Sequence, residues 1–365
     1  MCGPAPCHNP VNCIIPPHML RVMALRGDTS VQKMAKSMLK QNESVREERA
    51  EHTSGGMVPN AGRQGAFVTS ALAFMDTRTH TCDRQIYDGD NRASLPGTPV
   101  RTEGQDPTGD PEVDRAYDGA GVVFDLCSQE FNRNSLDGNG IPLKATVHHR
   151  SKYNNAFWNG EQMAYGDGDG EIFQTFTELS VIGHEMFHGV VQFSGGLIYQ
   201  GQSGALNESI ADVFGTMTVQ RHLDQDVYGA DWLVGKGILG PNINGVALRS
   251  MKAPGTAYSD SLIGQDPQPF HMDVYVDTTS DNGGVHINSG IPNHAFYLYC
   301  MYVGGKSWEK PGQIWYRALQ QINNPMATFG DWAAETLDAA IDIHGTGSWE
   351  YLMLRRAWRL VGIAV

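Results

Sequence analysis

Apolar positions in the stretch "SVIGHEMFHGVVQ", residues 180 to 192, recur at helical spacing. Val181, Ile182, Met186, Phe187, Val190 and Val191 predict a buried helix. A second stripe follows in "SGALNESIADVFG", where Leu206, Ile210, Val213, Phe214 and, just beyond, Met217 line one helical face. The C-terminal "WEYLMLRRAWRLVGI" has the same periodicity and predicts a core helix. From Thr29 to about His52 the pattern is helical but rich in charge, and it gives way to the Gly-rich "TSGGMVPNAGRQG" at 53 to 65, which reads as an exposed linker. "YNNAFWNG", residues 153 to 160, reads as an edge strand. "KATVHHRSKY" reads as a strand that puts His148 and His149 on alternate faces, as surface or packing residues. "DGDGE" at 167 to 171 imitates a calcium loop, but its spacing lacks the remaining ligands and a Gly-Asp turn between strands fits it better.

Two of these helices carry polar groups that packing does not explain. His184 and His188 are four apart and share a face, so both imidazoles can meet one metal ion, while Glu185 is rotated to sit beside that ion as a general base. On the next helix Glu208 and Asp212 are again four apart, beside the apolar stripe. Inward carboxylates are costly unless something cationic meets them. Glu208 is therefore expected as a third metal ligand and Asp212 as the acceptor that fixes a ligand histidine's tautomer. Three protein ligands leave a fourth position for water, the arrangement of a catalytic zinc ion. In "DNGGVHINSG" two glycines permit a tight turn that exposes His286, with Asp281 five residues earlier able to orient its ring.

These blocks, together with "MAYGDGDG" at 163 to 170, "GLIYQGQSGALNESIADVFGT" at 196 to 216 and "LRSM" at 248 to 251, resemble the thermolysin-like zinc metallopeptidases. The resemblance covers most of the chain from about residue 80 onward. It implies an α+β fold of two lobes, β-rich then α-helical, with the HExxH helix between them. The expected divisions are a pro-segment and linker at 1–60, a β-rich lobe at 61–195 and a helical lobe at 196–365. It implies a neutral endopeptidase holding one zinc ion and cutting polypeptides before bulky hydrophobic residues. Within it, His286 and Tyr199 would stabilise the oxyanion. Asn155 and Ala156 would hold substrate as an added strand. Phe173, Phe176, Val181 and Leu248 would line the pocket after the scissile bond, with Arg249 placed to meet a peptide carbonyl. The family's double-calcium positions fall on Ser180 and Val219, which cannot act as carboxylate ligands, so that site is expected to be absent. The run "CIIPPHML", residues 13 to 20, is similar to the short propeptide of the protealysin branch, implying a latent precursor with its own propeptide as inhibitor. Pro16 and Pro17 would stiffen an extended chain. Cys13 is the candidate thiolate for the open zinc position, preferred over Cys7 and Cys2; the alternative is that these cysteines simply pack.

Composition narrows the remaining choices. A chain of 365 residues with 41% hydrophobic content can bury the core of two lobes. Its net charge of −13 and lack of basic runs give nucleic acid no footing, and no run of about 18 apolar residues predicts a membrane span. Cysteines at 2, 7, 13, 82, 127 and 300 are too sparse for a disulfide scaffold. The first residues show no secretory signal, so synthesis in the cytoplasm is expected, with retention there or export by a non-classical route. Two rival classes stay open: a zinc-binding interaction protein without catalysis, and an exopeptidase of the same metal chemistry.

Overall fold

The helix that carries the two histidines begins where a carboxylate can cap it. Glu178 accepts from the amides of Ser180 and Val181 and starts α4, Leu179–Gln192, in a computed structural model that describes residues 12–53 and 80–365. Helix α4 lies against α5, Gly201–His222, at unusually close range. A Cβ on Gly183 would come within 2.9 Å of the Gly215 Cα, and one on Gly215 within 2.6 Å of the Ser180 carbonyl. Only glycine at both positions permits that approach, which brings the polar face of α4 onto that of α5. Phe187 and Phe214 stack across the crossing, with ring centroids 4.4 Å apart.

Ahead of α4 lies a six-stranded mixed sheet, ordered β1-β5-β6-β4-β2-β3. Its strands are β1 Asn12–Cys13, β2 Arg84–Asp88, β3 Thr98–Thr102, β4 Leu143–Val147, β5 Ala156–Trp158 and β6 Met163–Tyr165. Strands β2, β4 and β6 run parallel in succession, while β5 is antiparallel to β6 and β1 to β5. Helix α3, Pro111–Asp125, is capped by Asp110 and packs between the sheet and α4. Two short hairpins, β7 Leu233–Val234 with β8 Arg249–Ser250 and β9 Ser259–Asp260 with β10 Gly264–Gln265, precede the C-terminal helices. These are α6 Asp281–Asn288, α7 Gly290–Val303, α8 Lys310–Gln321, α9 Phe329–His344 and α10 Trp349–Leu360. The six-stranded sheet is complete before α4 and the chain after it is mainly helical, an α+β arrangement in which α4 stands at the junction.

Several local expectations change. Helix α2, Thr29–Thr53, matches the charge-rich pattern, but the Pro-Pro element is not wholly extended. Pro16 is extended with φ −71 and ψ 145, whereas Pro17 opens helix α1, Pro17–Arg26. Proline is favoured at the first helical position, where its missing N–H has no partner to lose. Strand β4 stops at Val147 and His148 has φ 50, so period-two alternation no longer governs the two histidines. His148 bridges Asp110 and Asp167 at 3.0 and 2.9 Å, while His149 is buried against the rings of Tyr153 and Phe157. Asp169 accepts from the amides of Glu171, Ile172 and Phe173, which makes "DGDGE" a turn, as expected. Helix α10 joins the core through Leu354, Ala357 and Trp358, as expected, and leaves Trp349, Leu352 and Leu360 exposed on its other face. The segment boundary near residue 60, Cys2 and Cys7 lie outside the described residues.

Candidate active site

The close crossing of α4 and α5 gathers His184, His188 and Glu208, whose ligand atoms lie within 4.8 Å of one another and are all buried. Each imidazole is oriented from behind. His184 Nδ1 lies 2.8 Å from Asp212 Oδ1, and His188 Nδ1 lies 2.8 Å from Asn207 Oδ1. Both acceptors call for a proton on Nδ1, which turns the lone pairs of the two Nε2 atoms toward each other at 2.9 Å. Glu208 Oε2 adds a buried carboxylate oxygen without a hydrogen-bond partner. Two imidazole lone pairs and an unpaired carboxylate oxygen converging in a dry site repel one another unless a cation lies between them. The donor set of two nitrogens and one oxygen is that of a catalytic zinc site. Burial, then the neighbouring His184, holds His188 well below its ordinary pKa, in the neutral form that ligates.

Glu185 is fully buried beside this group. Burial first, then the charge of Glu208, pushes its carboxyl well above the usual range, while Arg249 and the backbone of Trp158 and Ile14 pull the other way. A carboxylate so destabilised is a stronger base than one in water. Opposite it, Tyr199 Oη donates to Glu208 and lies 3.1 Å from His286 Nε2. His286 owes its position to a left-handed run in α6, where Asp281, Asn282, Gly283 and Gly284 all have φ between 52 and 84. That run folds Asp281 back so that its carboxylate accepts from the His286 amide at 3.0 Å and lies 2.7 Å from Nδ1. Burial lowers the His286 pKa, but Asp281 and Glu208 outweigh it and raise it to about 8. The tight turn is present, yet His286 is not exposed, because a stretch of the chain's own N-terminal region lies over it.

That stretch is β1 and the residues after it. β1 pairs antiparallel with β5, Cys13 opposite Phe157, on the edge expected to receive substrate. Ile14 N donates to Ala156 O at 3.2 Å, and Ile15 N donates to Asn155 Oδ1 at 3.0 Å. Arg249 Nη1 donates to Ile14 O at 3.2 Å. His286 Nε2 lies 2.9 Å from Cys13 O. Ile14 and Ile15 are wholly buried in the cluster that contains Phe173, Phe176, Val181 and Leu248. Helix α1 then buries Met19, Leu20 and Met23, and His18 Nε2 meets Tyr258 Oη at 2.9 Å.

Cys13, expected as a thiolate ligand, meets His286 through its carbonyl. Among the described residues its thiol is not in the convergent ligand group, and its side chain clusters with Tyr153, Phe157 and Ala164. Pairing with Phe157 fixes which way each side chain leaves the strand, and it is the Cys13 carbonyl that faces His286. Sequence reasoning also missed three groups. Asn207 orients His188, Asn293 Nδ2 donates to Asp212 at 2.9 Å, and Gln268 Nε2 donates to the His286 carbonyl at 2.9 Å. Asn207 adjoins the expected ligand Glu208 in sequence, whereas Asn293 lies 81 residues from Asp212.

Known proteins share this arrangement. Residues 69–192 match the profile described as thermolysin metallopeptidase, catalytic domain, and residues 195–363 match its alpha-helical domain. The solved precursor of protealysin, a metalloproteinase from Serratia proteamaculans, superposes with a TM-score of 0.82 at 44% identity, covering 97% of this chain and 100% of that one. An extracellular metalloprotease of Pectobacterium carotovorum subsp. carotovorum is 50% identical over 288 residues, 78% of this chain and 82% of that protein. Protease PrtS of a Photorhabdus strain is 47% identical over 291 residues, 78% of this chain and 77% of that protein. With both domain profiles matched in order along the same chain that builds the histidine and glutamate cluster, this protein belongs to the thermolysin family of metallopeptidases.

Proposed function

We propose that the chain is the latent precursor of a zinc-dependent neutral endopeptidase that cuts polypeptides before bulky apolar residues. The observation that carries this reading is the pair of Nε2 lone pairs facing each other beside the unpaired Glu208 oxygen, with Glu185 alongside. Zinc held by His184, His188 and Glu208 would supply a Lewis acid that polarises the scissile carbonyl and makes a bound water acidic. Asn155, Ala156 and Arg249 hold the substrate's main chain, and Phe173, Phe176, Val181 and Leu248 favour a large apolar side chain after the scissile bond. Glu185 removes the proton of the attacking water and passes it to the leaving nitrogen. His286, oriented by Asp281, and Tyr199 donate to the carbonyl oxygen as charge develops there. Asp212 holds His184 in the tautomer that ligates.

Residues 12–53 act in this reading as an inhibitory plug, because they occupy the substrate edge through the groups that would hold a substrate. Activity then follows a cut within roughly residues 40 to 80. The double-calcium site is absent on the same reading. Ser180 Oγ bonds Glu178 and accepts from Gly235 N at 2.8 Å, and Val219 offers no ligand atom. Among the described residues no helix is long and apolar enough to cross a membrane, and the relative named as extracellular favours action outside the cell. The test is casein digestion against amino-acid-amide hydrolysis by the matured chain, with zinc and with phenanthroline. Casein cleavage that stops with the chelator is expected; amide hydrolysis alone would mark an exopeptidase, and metal binding without either would mark an interaction protein.

A further inference from the structure

The segment over the site does more than obstruct it. Its chain direction, its register and four main-chain contacts fall in the order a substrate needs. Cys13 O faces His286, Ile14 N donates to Ala156 O, Ile14 O receives Arg249, and Ile15 N is held by Asn155. The oxyanion donor is thus at the carbonyl of the Cys13–Ile14 bond, and the edge strand holds the amide that follows it. A plug bound in reverse, or shifted by one residue, would put an amide where His286 meets a carbonyl. Ile14, the residue that follows the bond, is apolar, β-branched and wholly buried.

We infer that the Cys13–Ile14 peptide bond is a self-cleavage site, cut by the chain's own catalytic groups while residues 14–53 remain docked. The inference rests on the endopeptidase reading above. The reaction is plain hydrolysis. The water oxygen bonds to the Cys13 carbonyl carbon, the C–N bond to Ile14 breaks, Glu185 carries a water proton to the Ile14 nitrogen, and Cys13 leaves as a carboxylate. Nothing is oxidised or reduced. The two sides of the cut are held unequally. Among the described residues the departing side keeps the short pairing of Asn12 and Cys13 with β5 and the packing of Cys13 on Tyr153, Phe157 and Ala164, whereas the retained side keeps the Arg249 and Asn155 contacts and the buried Met19, Leu20 and Met23 of α1. The cut therefore turns a substrate-like plug into a product-like one, with Ile14 as a new N-terminus still in the cleft. Full opening waits for a second cut beyond α2.

The experiment follows the zinc-loaded full chain by intact mass and N-terminal sequencing during maturation, with casein digestion measured in parallel. An Ile14 N-terminus is expected in the parent chain and not in Glu185→Gln. Ile14→Asp, checked for native melting, should slow that cut at least ~10-fold, since a carboxylate is costly in an apolar pocket. A readout independent of activity is hydrogen exchange of the peptide spanning residues 12–16 in full-length Glu185→Gln. Slow exchange is expected, with faster exchange when Asn155→Ala is added. Caseinolytic protein that never shows an Ile14 N-terminus overturns this inference and leaves the endopeptidase reading intact. Exchange as fast as in a free peptide overturns the docking on which it depends, and absence of any casein cleavage overturns the endopeptidase reading itself.

Discussion

Asp212→Ala removes a carboxylate that serves three neighbours at once. Asp212 is fully buried and its oxygens meet His184 Nδ1 at 2.8 Å, Arg249 Nε and Nη2 at 2.8 and 2.7 Å, and Asn293 Nδ2 at 2.9 Å. Burial raises its pKa, yet Arg249 and then His184 overcome that and hold the carboxyl far below the usual range. Deleting it strands the Arg249 guanidinium in a dry site, and breaking a buried pair in this way costs about 3–5 kcal/mol. The His184 ring loses its orienting acceptor as well, a loss worth about 10–100-fold in metal affinity. The two effects separate with a second substitution. Asp212→Ala/Arg249→Met removes the stranded charge and is expected to regain most of the stability, but not the zinc affinity. Urea unfolding of the zinc-stripped precursor measures the first effect free of binding linkage, and competition with a chromophoric chelator measures the second. The reasoning fails if Asp212→Ala unfolds within ~1 kcal/mol of the parent, or if the double variant recovers parental zinc affinity.

Glu185→Gln keeps shape and charge-neutral packing but cannot carry a proton, so a folded, zinc-loaded protein with turnover down at least ~10²-fold is expected; undiminished casein digestion would exclude it as the base. His286→Ala should spare zinc content while lowering kcat more than it changes KM, and a change confined to KM would contradict a transition-state role. One zinc per chain by elemental analysis, with activity lost to phenanthroline and regained on adding zinc, is the expected metal dependence; full activity in metal-free protein refutes it. Asp167 and Asp110 outweigh burial and raise the His148 pKa above 6.5. Its contribution to stability is therefore complete below pH 6.5 and fades as pH rises through the folded value. His148→Asn, which tolerates the local φ of 50, should flatten the pH dependence of unfolding over that window, and an unchanged slope would show that the bridge is energetically silent.

What could be read from the sequence was whatever depends on spacing along one helix. The i, i+4 rule put His184 with His188 and Glu208 with Asp212, but the apolar stripe understated the burial of α5, which is covered on every side from Ser203 to Thr218. Features set by pairing between distant segments were hidden. Nothing in "VHH" says that the strand ends at Val147 and that His148 turns into the left-handed region. Nothing in "CIIPP" says which residue of a strand faces which residue of its partner, and so nothing in it says that the Cys13 carbonyl meets His286. Pro17 was a missed local signal, because a proline before an apolar, periodic run is also a helix start.

The polar side chains that hold residues 13–15 bond main chain alone, which on the proposed reading lets one cleft serve as an active site and be silenced by its own chain. Recognition through backbone is tolerant of side chains by construction, so any extended segment that presents an apolar residue to the pocket competes for the same four contacts. What favours residues 12–15 over a passing polypeptide is the tether. A segment linked to the catalytic body acts at an effective concentration on the order of mM, a level a free substrate seldom reaches. Latency then requires no affinity beyond that of an ordinary substrate, and no special ligand for the metal. It also sets how latency ends: once the chain is cut between α2 and the sheet, the same contacts hold a free fragment that dilution removes. On the proposed reading, the tether is what latency cannot lose.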